Sequence, residues 1–267
     1  MSLSWRERVR IALSPQQVAM VRLARGPKLR VIDHKCVACP EAAGRANWSG
    51  AVEALRDLLA HPNVGKGDAT LILSSHFVRY AVLPWSAELV TEAEELEYAR
   101  TRFVHVFGPA AAEWAIVMSP APTGAGRLCA AADQALIDAA SGAVAASALR
   151  LVSVQPALMA QFNEWRRQIG ADGWLVAAEQ GRLLVAWISG GQWRSVRARP
   201  LNGAAIPLAQ VLEQERLLLS AGGNHKVFLA TLGDIAVETD GLKVEQLAPR
   251  ARAAKADSDL VLAMCGI

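Results

Sequence analysis

The segment RVRIAL, residues 8–13, decides the fold, because basic and apolar residues alternate along it. A period of two is typical of a β-strand with one buried face. A second and a third strand follow, and an amphipathic helix with leucines on one face leads into a buried strand. These predicted elements are strands at 17–23 and 29–37, a helix at 50–61 and a strand at 69–73.

The second half of the chain repeats this order without repeating the sequence. Its predicted elements are strands at 174–178, 182–188 and 193–199, a helix at 205–220 and a strand at 226–232. Three antiparallel strands followed by a crossover helix, found twice, describe the ribonuclease-H-like unit as it is duplicated in actin-like folds. We therefore predict an α/β protein with mixed sheets, whose two lobes flank a cleft.

The division into domains follows from the two repeats. The first lobe is expected at 1–155, with an inserted subdomain at about 88–150, and the second lobe at 156–267. The inserted part contains a helix that Thr91 and Glu94 open as a capping box. Acidic residues early in this helix and basic residues late in it suit the helix dipole.

Composition and charge exclude several classes of protein. The 267 residues are 52% hydrophobic and 20% charged, which allows a large core and excludes a wholly disordered chain. The net charge of +3 gives no reason to expect a nucleic-acid partner. Residues 1–35 hold eight basic and two acidic side chains. They form either a face for an anionic membrane or acidic partner, or the solvent side of strands.

The cysteines and apolar runs indicate the compartment. Four cysteines in a chain of this length do not form a secreted disulfide framework. Cys36 and Cys39 make one CxxC pair, whereas a structural zinc needs four ligands, so we predict no metal. No signal peptide is visible, and charged residues interrupt the alanine-rich run at 128–151. We expect a soluble cytosolic protein without a membrane span.

The turns that would face the cleft lack the chemistry of a nucleotide site. Neither a Walker loop nor a complete dinucleotide fingerprint occurs. Actin-like ATPases place an Asp-x-Gly type of turn after the first strand of each half, where a carboxylate works through magnesium. Here the first turn is Ser14-Pro15-Gln16, without a carboxylate or a glycine. The second is Glu179-Gln180-Gly181, and a single glycine, Gly233, follows the strand at 226–232. The candidates for a vestigial nucleotide site are Ser14, Gln16, Glu179, Gly181 and Gly233.

The chain resembles the actin-like PilM proteins of type IV pilus assembly, including the MshI-type proteins of mannose-sensitive pili. It is also similar to the cytoplasmic domain of the type II secretion protein GspL. The likeness is one of order and hydrophobic pattern over nearly the whole chain. It rests on RVRIAL at 8–13, FVRYAVLP at 77–84, the helix at 92–107, the stretch 128–161 and DLVLAM at 259–264.

This resemblance implies a cytoplasmic protein that works peripherally at the inner membrane. It would bind the N-terminal tail of a single-span assembly protein and connect it to other pilus or secretion components. In the family the tail lies in a groove of the first lobe, beside the inserted subdomain. The groove candidates here are Phe77, Tyr80, Val82, Leu96, Phe103 and Phe107. Strand or helix spacing also suits each of them to the core.

Three functions remain open from the sequence. The first is a non-catalytic scaffold, a pseudo-ATPase without catalytic residues or a required cofactor. The second is an active ATPase or sugar-kinase-like phosphotransferase, for which the resemblance allows ATP and magnesium. The third is a nucleic-acid enzyme of ribonuclease-H-like fold. The missing carboxylate after the first strand disfavours both enzymes, because a magnesium ion would lose its organising ligand.

Overall fold

A computed structural model describes the chain in ten stretches. They are residues 7–24, 30–40, 48–61, 64–201, 206–220, 225–232, 235–239, 241–248, 261 and 263–266. The strands are β1 (Glu7–Leu13), β2 (Gln17–Leu23), β3 (Val31–Ala38), β4 (Gly67–Leu73), β5 (Val78–Leu83), β6 (Trp114–Met118), β7 (Arg127–Asp133), β8 (Leu149–Pro156), β9 (Gly173–Glu179), β10 (Arg182–Ser189), β11 (Gln192–Pro200), β12 (Ile206–Pro207), β13 (Val227–Leu232), β14 (Val237–Glu238) and β15 (Val244–Gln246). The helices are α1 (Ser49–Ala60), α2 (Glu92–Phe107), α3 (Gln134–Ala145), α4 (Ala157–Ile169) and α5 (Leu208–Leu219), with a 3₁₀ turn at Pro109–Glu113.

The first sheet is built around β1. Its strand order is β3-β2-β1-β4-β8, and β1 runs antiparallel to β2 and parallel to β4. Arg8 and Arg10 keep the early part of β1 partly in solvent, as the alternating pattern predicts. The later residues Ile11, Ala12 and Leu13 are all buried, because helices cover both faces of the sheet here.

The second sheet repeats the topology of the first. Its order is β11-β10-β9-β13-β15, and β9 runs antiparallel to β10 and parallel to β13. Alternate residues of β9 enter different clusters: Trp174 and Val176 pack beneath α5, whereas Leu175 joins the main core. The repeated order of strands and helix is therefore confirmed, and β1 and β9 occupy equivalent positions in two lobes.

A third sheet, of order β5-β7-β6, forms a subdomain with α2 and the 3₁₀ turn. The capping box of α2 is present, since Thr91 accepts from the Glu94 amide and the Glu94 carboxylate accepts from the Thr91 amide. The insert was expected at about 88–150, but β5 already belongs to this sheet. The reason is that β5 pairs along its whole length with β7. Below, "the α2 subdomain" means residues 78–133.

The two lobes share one hydrophobic core, and α4 lies between them. The main cluster joins Leu71 of the first sheet, Leu158 and Trp165 of α4, and Phe228 of the second sheet. The other face of the first sheet is covered by a cluster that includes Ala157 and Ala160 of α4 and the chain end at Val261, Met264 and Cys265. The end of the chain thus packs on the first lobe. The other residues of the segment 259–264, which are 259, 260 and 262, lie outside the described residues. The division between 155 and 156 stays a prediction.

Helix ends and membrane spans complete the description. Trp48 is the N-cap residue of α1, and no side-chain hydrogen bond caps this helix. In the described part of the chain, every helix is too short or too polar to cross a bilayer.

Candidate functional site

The cleft between the lobes holds a cavity of about 280 Å³ at the carboxyl ends of β1, β4 and β9. Of the predicted site residues, Ser14, Gln16 and Glu179 line it. Gly181 follows in the same turn as Glu179 but does not line the cavity, and Gly233 lies outside the described residues. Two turns more than 160 residues apart in the chain therefore meet at this cavity.

The first turn, Ser14-Pro15-Gln16, is closed on itself. The amide of Ser14 donates to the carbonyl of Gln17 at 3.0 Å. The hydroxyl of Ser14 accepts from the Gln17 amide at 3.1 Å and donates to the Gln17 carbonyl at 2.8 Å. Pro15 has no amide hydrogen. The turn therefore directs few backbone donors into the cavity.

The second turn uses Glu179 to connect the lobes. Its carboxylate accepts hydrogen bonds from the hydroxyls of Ser74 and Ser75, which follow β4 in the first lobe. The Ser75 amide donates to the same carboxylate at 3.0 Å. The three side chains are 5%, 1% and 6% exposed for Ser74, Ser75 and Glu179. A buried carboxylate needs such donors, so these bonds stabilise the contact of the lobes.

Two further contacts extend this connection. His76 Nε2 lies 2.8 Å from the carbonyl oxygen of Gln180, and a carbonyl only accepts, so this nitrogen carries the proton. Burial lowers the pKa of His76, which favours the neutral ring in this contact. Arg182 Nη1 donates to the Ser75 carbonyl at 2.8 Å. We call Ser74, Ser75, His76, Glu179, Gln180 and Arg182 the interlobe bridge.

Solved structures that resemble this one have actin-like folds. A structure described as the PilM-PilN type IV pilus biogenesis complex superposes with a TM-score of 0.68 at 14% identity, covering 97% of both chains. The cytoplasmic domain of EpsL, an inner-membrane component of the type II secretion system of Vibrio cholerae, gives 0.60 at 12% identity, covering 97% of this chain and 92% of the other. A Bacteroides thetaiotaomicron protein of actin-like ATPase fold and unknown function gives 0.57 at 11%, covering 87% and 84%.

The chain has an actin-like fold. The expected fold class, with a ribonuclease-H-like unit in each lobe, is therefore confirmed. No family model matches the sequence, and neither does any curated protein. The similarity is thus one of backbone arrangement, and the function has to be argued from the side chains.

Actin-like ATPases bind a magnesium nucleotide in the cleft, and the two described turns here offer no carboxylate for the metal that is not already hydrogen-bonded. Carboxylate oxygens would have to be free to hold magnesium or its waters. The first turn offers the hydroxyl of Ser14 instead of a carboxylate. Both oxygens of Glu179 already accept hydrogen bonds from the first lobe.

The partners of Glu179 were missed in the sequence. Ser74-Ser75-His76 directly follows the buried strand β4. A polar triplet at the carboxyl end of a parallel strand is a usable signal, because ligands and polar contacts gather at that edge. The position of Glu179 opposite this triplet, about 104 residues away in the chain, is set by the packing of the lobes.

The six groove candidates are not brought together on one surface, although two of them, Tyr80 and Phe107, line the same cavity. Phe77 and Tyr80 are buried in the main core, and Val82 packs against that core. Phe103 is 1% exposed in the separate core of the α2 subdomain. Leu96 is half-buried, and Phe107 is 40% exposed.

Phe107 belongs to a set of exposed apolar side chains on the α2 subdomain and the segment that precedes α2. Its members are Trp85, Val90, Val106, Phe107 and Val117, with exposed fractions of 40–82%. The ring of Phe107 rests on Phe103 and Trp114, at centroid distances of 6.0 and 5.5 Å. Exposed apolar side chains of this size are candidates for contact with another molecule.

Proposed function

We propose that this chain is a non-catalytic actin-like scaffold at the cytoplasmic face of the inner membrane. It would serve type IV pilus biogenesis of the mannose-sensitive kind, or a related type II secretion machine. In this role it holds the N-terminal tail of a single-span assembly protein and connects that protein to other components of the machine. The observation that carries the proposal is the engagement of Glu179 by Ser74 and Ser75.

The hydrogen-bonded state of the Glu179 carboxylate favours a scaffold over the alternative, an ATPase or a phosphotransferase. An enzyme of this fold would need the carboxylate for its metal and would need the lobes to move about the cleft. Here the same group is desolvated and hydrogen-bonded across the lobes, which resists opening. The geometry therefore suits a protein that keeps one shape and presents surfaces.

The comparisons support the partner and the location. One similar protein was solved in a complex named for type IV pilus biogenesis. Another is the cytoplasmic domain of an inner-membrane secretion component. The exposed apolar side chains of the α2 subdomain supply a surface for an apolar tail, since such a segment binds by burying its side chains in a groove.

Recruitment to membranes tests the proposal. We expect the protein to cosediment with inside-out inner-membrane vesicles of the native host. It should not cosediment with vesicles that were treated with trypsin to remove the cytoplasmic tails of their membrane proteins. Val106→Ser or Phe107→Ser should each lower the bound fraction at least about fivefold, because each removes exposed apolar area from the contact. A photo-crosslinker at position 106 should capture the N-terminal segment of a single-span protein.

The matched control is Leu217→Ser, the same kind of change on α5 of the second lobe, where Leu217 is 72% exposed. This variant should bind like the wild type. If the protein bound trypsin-treated vesicles or protein-free liposomes as well as it binds untreated vesicles, the result would contradict a protein tether. Unchanged binding by both α2 variants would remove the α2 surface from the proposal.

A further inference from the structure

A second groove lies between the α2 subdomain, which contributes Arg79, Tyr80 and Phe107, and the second sheet. Its volume is about 430 Å³. Four arginines line it: Arg79 of β5, Arg182 of β10, and Arg197 and Arg199 of β11. We call this cavity the arginine groove. Phe107 of the exposed apolar set also lines it, whereas the four arginines have no part in the proposed scaffold function.

The arginine groove has more positive than negative charge. Glu215 of α5 is its lining carboxylate, is 1% exposed, and pairs with both Arg197 at 3.3 Å and Arg199 at 2.6 Å. Arg79 Nη1 donates a hydrogen bond to the backbone carbonyl of His76 at 2.9 Å. This carbonyl is a neutral acceptor, so it does not balance the positive charge of Arg79. Glu215 thus pairs with two of the four guanidinium groups, and Arg79 and Arg182 donate to backbone carbonyls instead.

The guanidinium groups of Arg79 and Arg182 repel each other. Burial, and then the positive charge of Arg182, lower the pKa of Arg79. The Nε atom of Arg182 is buried and has no hydrogen-bond partner within the described ranges. Such an arrangement costs free energy unless an anion enters, and guanidinium forks suit carboxylates especially well.

The shape of the groove indicates an extended ligand. Four consecutive residues of β11, 196–199, line it, and so do the neighbours Arg79 and Tyr80 of β5. Successive side chains of a strand point to opposite faces, so a cavity that meets all of them lies along the strand edge. Both β5 and β11 are edge strands in the described sheets. The two strands also contact each other, so the groove follows the line along which they meet.

We propose that the arginine groove binds an extended protein segment in which carboxylate and apolar side chains alternate. Arg197 and Arg199 lie on one face of β11, and Val196 and Ala198 lie on the other. An extended segment with alternating side chains that lies along this line would place its carboxylates beside the arginines and its apolar groups beside Val196 and Ala198. A phosphate oligomer matches the charge but neither the apolar face nor the strand edge.

Fluorescence anisotropy with a designed probe tests this. The probe is a fluorescein-labelled peptide of four Asp-Val repeats, and its matched control replaces every aspartate with asparagine. At low salt we expect the aspartate probe to bind the full chain at least about tenfold more tightly than the asparagine probe. Binding should weaken as salt rises, because partly exposed charges are screened.

Arg197→Gln is the main variant, since Arg199 still pairs with Glu215 when Arg197 is removed. It should weaken the aspartate probe at least about fivefold and leave the melting temperature near that of the wild type. Arg194→Gln is the matched control, because Arg194 is an exposed arginine of the same strand that does not line the groove. It should bind the probe like the wild type.

Three results would overturn the inference. These are equal binding of the aspartate and asparagine probes, equal losses with Arg197→Gln and Arg194→Gln, and binding of tripolyphosphate by a protein that shows no affinity for the aspartate probe. None of them bears on vesicle recruitment through Val106, which does not line the arginine groove, so the two proposals fail separately.

Discussion

Glu179→Ala is expected to lower the free energy of unfolding by about 2–4 kcal/mol. The substitution leaves two serine hydroxyls and the amide of Ser75 buried without their acceptor. Each buried group that loses its partner costs about 1–3 kcal/mol, and water that enters the space recovers part of this. Urea unfolding followed by tryptophan fluorescence measures the change.

Two controls identify the bridge as the cause. Glu97→Ala removes an exposed carboxylate and should shift stability by less than about 0.5 kcal/mol. Ser75→Ala should cost about 1–2 kcal/mol in the wild type and clearly less in the Glu179→Ala background, because the two residues act on one interaction. A Glu179→Ala protein as stable as the wild type would mean that the carboxylate is not structural.

Phe103→Ala is expected to cost about 3–5 kcal/mol, the range for a large side chain deleted from a packed core. Phe103 is 1% exposed and packs with Phe107 and Trp114 on the third sheet. Phe107 lies one turn further along α2 but is 40% exposed, so Phe107→Ala should cost less than about 1.5 kcal/mol. Chemical denaturation of both variants measures the difference.

This pair also decides which residue can report on a partner. If Phe103→Ala proved as stable as Phe107→Ala, the ring of Phe103 would be free to meet a ligand, and the α2 core described above would be wrong. If the costs separate as expected, a loss of recruitment with Phe107→Ser reflects the surface and not unfolding.

Much of the fold could be predicted because its signals are local. Alternation at 8–13 and a capping box at Thr91 and Glu94 specify a strand and a helix start within a few residues. Burial on both faces of Ile11-Ala12-Leu13 could not be predicted in the same way. It depends on α4 and on the chain end, which reach the sheet from distant parts of the sequence.

The candidate site residues show the same contrast between local sequence signals and contacts from distant parts of the chain. Ser14, Gln16 and Glu179 were placed at the cleft because the ends of equivalent strands meet there. The role of Glu179 as a link between lobes depends on Ser74 and Ser75, which no sequence spacing relates to it. The groove candidates could not be separated from core residues in the sequence. Apolar residues have the same spacing on a strand or helix whether they pack in the core or bind a partner.

Calorimetric titration of the wild-type protein with ATP and magnesium tests the central claim most directly. If Glu179 holds the lobes together and the cleft does not serve a nucleotide, the titration should show no saturable heat at micromolar ATP, and hydrolysis should stay at background. Saturable binding with a dissociation constant in the low micromolar range, the affinity of an ordinary substrate site, would contradict the account.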